Sequence, residues 1–91
     1  MHPGEFLRSV VIPGSGMTKT ATATRLRVSR QTLHEVLSQR SPVTANLALR
    51  LARLYGNTPQ FWLNLQANHD VAVLARSKAA EIAKITPLRA A

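Results

Sequence analysis

The stretch that decides the fold is TKTATATRLRVSRQTLHEVLS, which spans residues 18–38. Thr18 and Ser29 within it are typical helix N-caps, because a hydroxyl there can accept a hydrogen bond from a free amide of the first turn. The spacing of apolar residues predicts one helix over 19–26 and a second over 30–38. Two short helices joined by a tight turn are typical of a helix-turn-helix unit, whose second helix enters the DNA major groove.

The second of these helices has an apolar face and a polar face. Its inward residues are Leu33, Val36 and Leu37, and its outward residues are Arg30, Gln31, His34 and Glu35. Arg30 lies in the first turn, where a cation opposes the helix dipole at a cost of ~0.3–1 kcal/mol. Neither Arg30 nor Gln31 gains packing there, which is typical of a surface that faces a ligand. Arginine can read guanine and glutamine can read adenine. Glu35 can accept from cytosine or hold Arg30 in place.

Basic residues around the two helices are candidates for contacts with DNA phosphates. Lys19 lies at the start of the first helix, where free backbone amides assist anion binding. Arg40 follows the second helix, whereas Arg25 and Arg27 are weaker candidates, and Arg27 with Val28 forms the predicted turn. The alternative for each side chain is plain solvation, and for the whole unit an ordinary helical bundle with a basic surface.

The composition of the chain predicts a polyanionic partner. Its 91 residues include 12 Lys and Arg against 4 Asp and Glu, a net charge of +8, and residues 17–40 alone hold five basic residues and one acid. The length allows one domain, residues 1–91, and its small core predicts a dimer. Without cysteine there are no disulfides or thiolate metal sites, and without a signal-peptide pattern we expect a cytoplasmic protein.

The rest of the chain is also predicted to be helical, since no stretch alternates apolar and polar residues as a strand would. The further predicted helices are 3–11, 45–55 capped by Thr44, and one that begins at Thr58–Pro59 and continues, with a break, to about residue 85. Leu7, Val10 and Val11 lie on one face of the first. The segment 12–16 holds one proline and two glycines and is predicted to be a loop.

Several motifs together carry a family resemblance. They are His2-Pro3-Gly4-Glu5, Val28-Ser29-Arg30, Ala48-Leu49-Arg50-Leu51-Ala52, Pro59-Gln60-Phe61-Trp62-Leu63-Asn64-Leu65-Gln66 and Asp70-Val71. Over roughly residues 2–74 the chain resembles the HigA family of antitoxins, which belongs to the lambda-repressor-like (XRE) class of helix-turn-helix proteins. The resemblance implies an all-α, five-helix fold, to which we add a C-terminal helical extension.

The resemblance also implies a function and its partners. It implies a homodimer that binds a palindromic operator in its own promoter and represses transcription. It implies a partner toxin, HigB, which is similar to RelE-type ribosome-dependent mRNA endonucleases. Nothing in it implies a cofactor, a small-molecule substrate or a membrane.

Site residues follow from the same resemblance. The base-facing positions are Arg30, Gln31, Thr32, His34 and Glu35. The phosphate-facing positions that it implies are Lys19 and Arg40, to which we add Arg27 and Ser29. The helices over 58–85 are expected to form the dimer, with Phe61, Trp62, Leu65 and His69 at the contact, whereas the apolar pattern alone assigns the first three either to the core or to the dimer contact. The motif at residues 2–5 is interpreted either as a helix start that closes the core or as a contact with the toxin.

Other function classes fit the sequence less well. An enzyme needs titratable groups that converge in a pocket, whereas His2, His34 and His69 are far apart in sequence and are predicted on surfaces. Single-stranded RNA binding usually needs exposed aromatic side chains, and the aromatic residues here occupy apolar-face positions. Two alternatives stay open: a stand-alone XRE-type regulator, and a basic helical module that binds a protein without reading DNA.

Overall fold

The computed structural model describes residues 1–89, and every regular element within them is helical. The elements are α1 (Pro3–Phe6), a π-helical turn (Leu7–Val11), α2 (Ile12–Ser15), α3 (Lys19–Leu26), α4 (Arg30–Leu37), α5 (Ala45–Tyr55), α6 (Pro59–Ser77) and α7 (Ala79–Ala83). The first three run on without a gap as one helical segment. The chain therefore has five principal helical units followed by the short helix α7, which confirms the predicted all-α architecture with a helical C-terminal part.

Four predicted N-caps are confirmed by their hydrogen bonds. The hydroxyls of Thr18, Ser29, Thr44 and Thr58 accept from the backbone amide three residues ahead, at 3.1, 3.0, 3.3 and 3.2 Å. Each bond satisfies an amide that has no partner inside the helix. The starts of α3, α4, α5 and α6 are therefore fixed by local sequence.

The predicted loop over 12–16 is wrong, because the helical segment continues to Ser15. The amide of Ile12 donates to the carbonyl of Leu7, five residues back, so the turn before Pro13 is wider than an α-helical turn. A proline normally clashes with the preceding helical turn, and a π-turn is one of the ways in which a helix adjusts locally.

The π-turn also changes which side chains face inward. The prediction that Val10 lies on the apolar face is wrong, since 51% of it is exposed. Because the π-turn spans five residues, the side chains in and after it point in other directions than a regular repeat of 3.6 residues per turn would give. Leu7 and Ile12 instead fill the core from this segment, at 0% and 5% exposure.

The core includes Trp62, which we expected at a dimer contact. Only 1% of Trp62 is exposed, its ring packs against Phe6, Tyr55 and Phe61, and its indole N–H donates to Asn57 Oδ1 at 2.8 Å. The side chain is satisfied within its own protomer. It is therefore unavailable for a contact between protomers, and the expectation for this residue is corrected.

The amino-terminal motif closes the core, which supports the first of its two interpretations. His2 is buried, contrary to its predicted place on the surface, because its Nδ1 caps α1 by accepting from the amide of Gly4 at 2.8 Å. Its ring also meets that of His69 edge-on, with the centroids 4.8 Å apart. A side chain at Gly4 would overlap the carbonyl oxygen of Val36 in α4. Glycine there lets α1 and α4 approach closely.

The second half of α6 leaves the core, and we call residues 71–89 the C-terminal extension. Every residue from 71 to 89 is exposed, and the molecule measures 51 × 22 × 20 Å. The break predicted in this region lies at Lys78, between α6 and α7. Within residues 1–89, no helix has the length and apolar character needed to cross a bilayer.

Candidate nucleic-acid interface

The joint between α3 and α4 is a sharp turn held by two backbone hydrogen bonds. Arg27 has a left-handed backbone at φ 58° and ψ 43°. Its amide donates to the carbonyl of Thr24 at 3.1 Å, and that of Val28 donates to Ala23, also at 3.1 Å. This is the Schellman pattern that closes a helix C-terminus, with an apolar residue following the left-handed one. Val28 packs against the core and anchors the turn.

The far end of α4 is closed in the same way. Gln39 is left-handed at φ 63°, its amide donates to the carbonyl of Val36 at 3.0 Å, and that of Arg40 donates to Glu35 at 2.9 Å. Ser29 caps the other end of the helix. The second helix of the predicted helix-turn-helix is thus fixed at both of its ends.

Arg50, a residue of α5 to which the sequence analysis gave no role, holds the turn by hydrogen bonds from α5. Arg50 of α5 donates through Nη1 to the carbonyls of Leu26 and Arg27, at 3.1 and 3.3 Å. Its Nε donates to Asn46 Oδ1 at 3.1 Å. A cation at the last carbonyls of α3 satisfies them and interacts favourably with the negative end of the helix dipole. The sequence signal was an arginine between two leucines on an apolar helix.

The predicted base-facing residues lie together on the outer surface of α4. Arg30, Gln31, Thr32 and His34 are exposed and Glu35 is half-buried. Ser29 and Thr32 are also bonded to each other, since the Ser29 hydroxyl donates to Thr32 Oγ1 at 2.8 Å. The hydroxyl of Ser29 therefore already forms the N-cap and the bond to Thr32, and its predicted phosphate contact would use the same group.

Glu35 is engaged by neighbours other than Arg30. Gln31 Nε2 donates to Glu35 Oε1 at 2.9 Å, and Ser41 Oγ donates to Glu35 Oε2 at 3.2 Å. These bonds, the one from Gln31 first, lower the pKa of Glu35 below its ordinary value because they favour the charged carboxylate. The idea that Glu35 holds Arg30 is wrong: within residues 1–89 the one ion pair joins Lys78 and Glu81.

Residues of α3 and α4 meet in a cleft of about 170 Å³. Lys19 and Thr20 line it from α3, and Arg30 and His34 line it from α4. A predicted phosphate contact and two predicted base contacts are thereby brought together. Arg40 is exposed at the opposite end of α4.

One other predicted phosphate position, Arg27, lies elsewhere. Arg27 lies on the flank of α3 that faces α5, in a concavity with Arg50.

Among residues 1–89, no three His, Cys, Asp or Glu side chains gather as metal ligands would.

Comparison with known proteins identifies relatives of the chain, although no family profile matches it. The antitoxin HigA-1 of Vibrio cholerae is 38% identical over 68 residues, which cover 75% of this chain and 64% of that protein. The chain spans 61% to 72% of the length of the curated relatives it matches.

Solved structures match along nearly the whole chain. The Pseudomonas aeruginosa antitoxin HigA, solved with the higBA promoter, has a TM-score of 0.91 at 31% identity and covers 98% of each chain. The antitoxin GraA in complex with its operator has a TM-score of 0.90 at 36% identity, covering 99% of this chain and 92% of that one. With these relatives and this helix-turn-helix geometry, the chain belongs to the HigA family of helix-turn-helix antitoxins.

Proposed function

We propose that this chain binds the operator of its own promoter through α4 and represses transcription as the antitoxin of a HigBA-type module. The observation that carries the proposal is the set of exposed residues Arg30, Gln31 and His34 on a helix fixed at both ends. Two structural neighbours of the same fold were solved with promoter or operator DNA. In this proposal the chain acts as a DNA-binding protein in the bacterial cytoplasm, and it lies at the nucleoid when it is bound to its operator.

In this proposal the residues on and around α4 have separate roles. Arg30 reads a guanine and Gln31 an adenine, with Thr32 and His34 as their base-facing neighbours. Lys19 contacts a phosphate beside the amides that begin α3. Arg40 contacts another phosphate beyond the far end of α4, while Arg27 and Ser29 make secondary phosphate contacts.

Glu35 takes a positioning role in place of the base contact we expected. One N–H of the Gln31 amide is used by Glu35. The other N–H and the amide oxygen stay free for the acceptor and donor that adenine presents. Ser41 in turn holds the second carboxylate oxygen of Glu35. These two hydrogen bonds, from Ser41 to Glu35 and from Gln31 to Glu35, set the orientation of Gln31 before DNA binds.

A gel-shift experiment with the DNA upstream of the coding sequence tests operator binding. We expect a shifted band that survives excess scrambled duplex and disappears with excess unlabelled upstream duplex. Equal competition by both duplexes would contradict sequence-specific binding and favour the basic protein-interaction module.

The homodimer is part of the proposal and uses the extension. Val71, Leu74, Ile82 and Ile85 are between 49% and 71% exposed, although each is apolar. A second copy would remove this surface from water, at ~25 cal/mol for each Å² buried. Phe61, which is 40% exposed, with Leu65 and His69, which are partly buried, continues the surface toward the core. Two-fold pairing would place the two α4 helices about 34 Å apart, one turn of DNA.

The toxin partner is tested separately from DNA binding. We expect a small RelE-like protein to be encoded beside this chain and to co-purify with it after co-expression. Growth arrest by that protein alone should be relieved by this chain. If the upstream duplex is bound specifically and no such neighbour exists, the chain is a stand-alone regulator instead.

A further inference from the structure

A second group of arginines lies on the flank of α3 that faces α5. It surrounds a concavity of about 520 Å³, lined by Arg25, Leu26, Arg27, Asn46, Leu49, Arg50, Arg53 and Leu54. We call this concavity the arginine pocket. It gathers four of the 12 basic residues of the chain. The proposed DNA contacts use only Arg27 among them.

No acid of the chain lines the arginine pocket. The four acidic residues are Glu5, Glu35, Asp70 and Glu81, and none of them is among the lining side chains. Arg50 is committed to the carbonyls of the turn, whereas Arg25, Arg27 and Arg53 are exposed. Guanidinium groups gathered without a counter-charge raise the local positive potential and attract anionic groups.

The pocket lies away from the cleft that we assign to DNA. Lys19 lines that cleft together with Arg30, whereas Arg25 lines the arginine pocket. Arg25 lies six positions after Lys19, so at 3.6 residues per turn the two are about 120° apart around the axis of α3. A duplex seated on the outer face of α4 would therefore share only Arg27 with the arginine pocket and leave Arg25 and Arg53 free on another flank.

The walls of the pocket are apolar as well as basic. Leu49 is 60% exposed beside the arginines, and Leu54 is half-buried. A carboxylate fits the planar fork of an arginine, and an aliphatic side chain fits against Leu49. The acids of this chain are scattered singly, so a second copy offers no acidic segment. We infer that the arginine pocket docks an acidic segment of another protein, with aliphatic side chains between its carboxylates.

The test uses a fluorescein-labelled peptide of four Glu-Glu-Leu repeats and follows its anisotropy on titration with the full chain. A peptide with glutamine in place of each glutamate is the control ligand. The pocket variant is Arg25→Gln/Arg53→Gln, and the matched control is Arg8→Gln/Arg89→Gln. Both variants lose two positive charges at exposed positions. Circular dichroism melts verify that both are folded.

We expect the pocket variant to bind the acidic peptide at least tenfold more weakly and the matched control to change less than twofold. Leu49→Ser, which keeps the charge, should weaken binding severalfold. No binding of the acidic peptide by the unaltered chain would overturn the inference, and so would equal losses in the two variants.

The same experiment distinguishes the pocket from the proposed DNA site. With the upstream duplex already bound, the acidic peptide should still bind, and the pocket variant, which keeps Arg27, should lose no more affinity for that duplex than the matched control variant does. Displacement of the peptide by the duplex would assign the pocket to nucleic acid and overturn a protein partner. If the duplex is not bound specifically at all, the proposed function fails while the peptide result stands.

Discussion

The helix-turn-helix unit and the C-terminal extension use their side chains in opposite ways. In the first, both ends of α4 are closed by hydrogen bonds, and Leu33 and Val36 are no more than 2% exposed. In the extension, every residue from 71 to 89 is exposed, including Ile85 at 71%. The difference teaches that one chain alone positions the helix proposed to read DNA. In the proposed homodimer, a second copy covers the apolar residues of the extension.

The largest effect is expected where α1 meets α4. A methyl group at Gly4 would overlap the carbonyl oxygen of Val36, and backbone cannot move aside cheaply. Gly4→Ala should therefore lower the free energy of unfolding by about 3 kcal/mol in urea titrations.

Gly14→Ala is the matched control for that substitution. Nothing lies within 4 Å of a side chain built at Gly14. Because alanine is the better helix former, this variant should be unchanged or more stable by ~0.5–1 kcal/mol. Equal losses in the two variants would contradict the close approach of α1 to α4.

Arg30→Ala should weaken operator binding by about 2 kcal/mol and relax the base preference at one operator position, because an exposed arginine is proposed to read guanine there. Competitive gel shifts with single-base operator variants measure both effects. The same loss on scrambled duplex would show that Arg30 contributes charge alone.

Lys19→Ala provides the contrast within the same cleft. A phosphate contact carries no base information, so binding should weaken alike on every sequence. The slope of log affinity against log salt should become shallower by about one unit. An unchanged slope would remove Lys19 from the phosphate contacts.

Arg50→Ala tests the hydrogen bonds that α5 donates to the turn between α3 and α4. Loss of the charged donor leaves the carbonyls of Leu26 and Arg27 without this partner, which should destabilise the fold by about 1.5 kcal/mol. Thermal melts measure this, and Arg53→Ala, on the same helix and exposed, should change stability by no more than ~0.5 kcal/mol. Matching losses would show that charge on α5 matters rather than the hydrogen bonds.

Sequence reasoning predicted the parts of the fold that depend on local chemistry. The four hydroxyl caps and the bounds of α3 and α5 follow from residues close together in the chain, and all are confirmed. Pro13 misled the prediction because a π-turn accommodates it. Sequence alone does not signal such a turn.

What sequence reasoning missed depends on contacts across long separations. Gln66 accepts from the amide of Val43 and donates to Asp70, at 2.8 and 3.0 Å, which ties α6 to the loop after α4. Arg50 reaches a turn more than twenty residues away. His2 meets His69 from the other end of the chain. Only the packed fold brings such partners together. The family motifs that contain Gln66, Arg50 and His2 could therefore be recognised in the sequence, but the contacts that these residues make could not.

The cap formed by His2 predicts a pH dependence of about 1 kcal/mol. Burial first, and then the neighbouring His69, lowers the pKa of His2 below its ordinary 6.5. Asp70 and Glu5 act in the opposite direction but do not cancel this shift. The folded chain thus holds His2 neutral, so the unfolded chain binds more protons and stability falls as the pH drops below about 6.5. Protonated Nδ1 could no longer accept from Gly4, and loss of an N-cap typically costs about 1 kcal/mol.

Thermal melts between pH 8 and 5.5 measure this dependence. His2→Asn keeps a capping acceptor that does not titrate in this range, so the difference between the two curves isolates His2. Parallel curves for the two proteins would show that another group carries the pH effect.

The smallest effect on the single chain is expected in the extension. Leu74 is 49% exposed, so Leu74→Asp should change the free energy of unfolding of the protomer by no more than ~0.5 kcal/mol. In the proposed homodimer a carboxylate at this position would be buried between the copies. Light scattering should therefore show the mass of two chains for the unaltered protein and the mass of one chain for Leu74→Asp. Leu88→Asp lies beyond the helices proposed to pair and should leave the dimer intact. If Leu74→Asp instead destabilised the dilute protomer as much as Gly4→Ala does, the extension would belong to the folded core of one chain, and the contrast between the two regions would disappear.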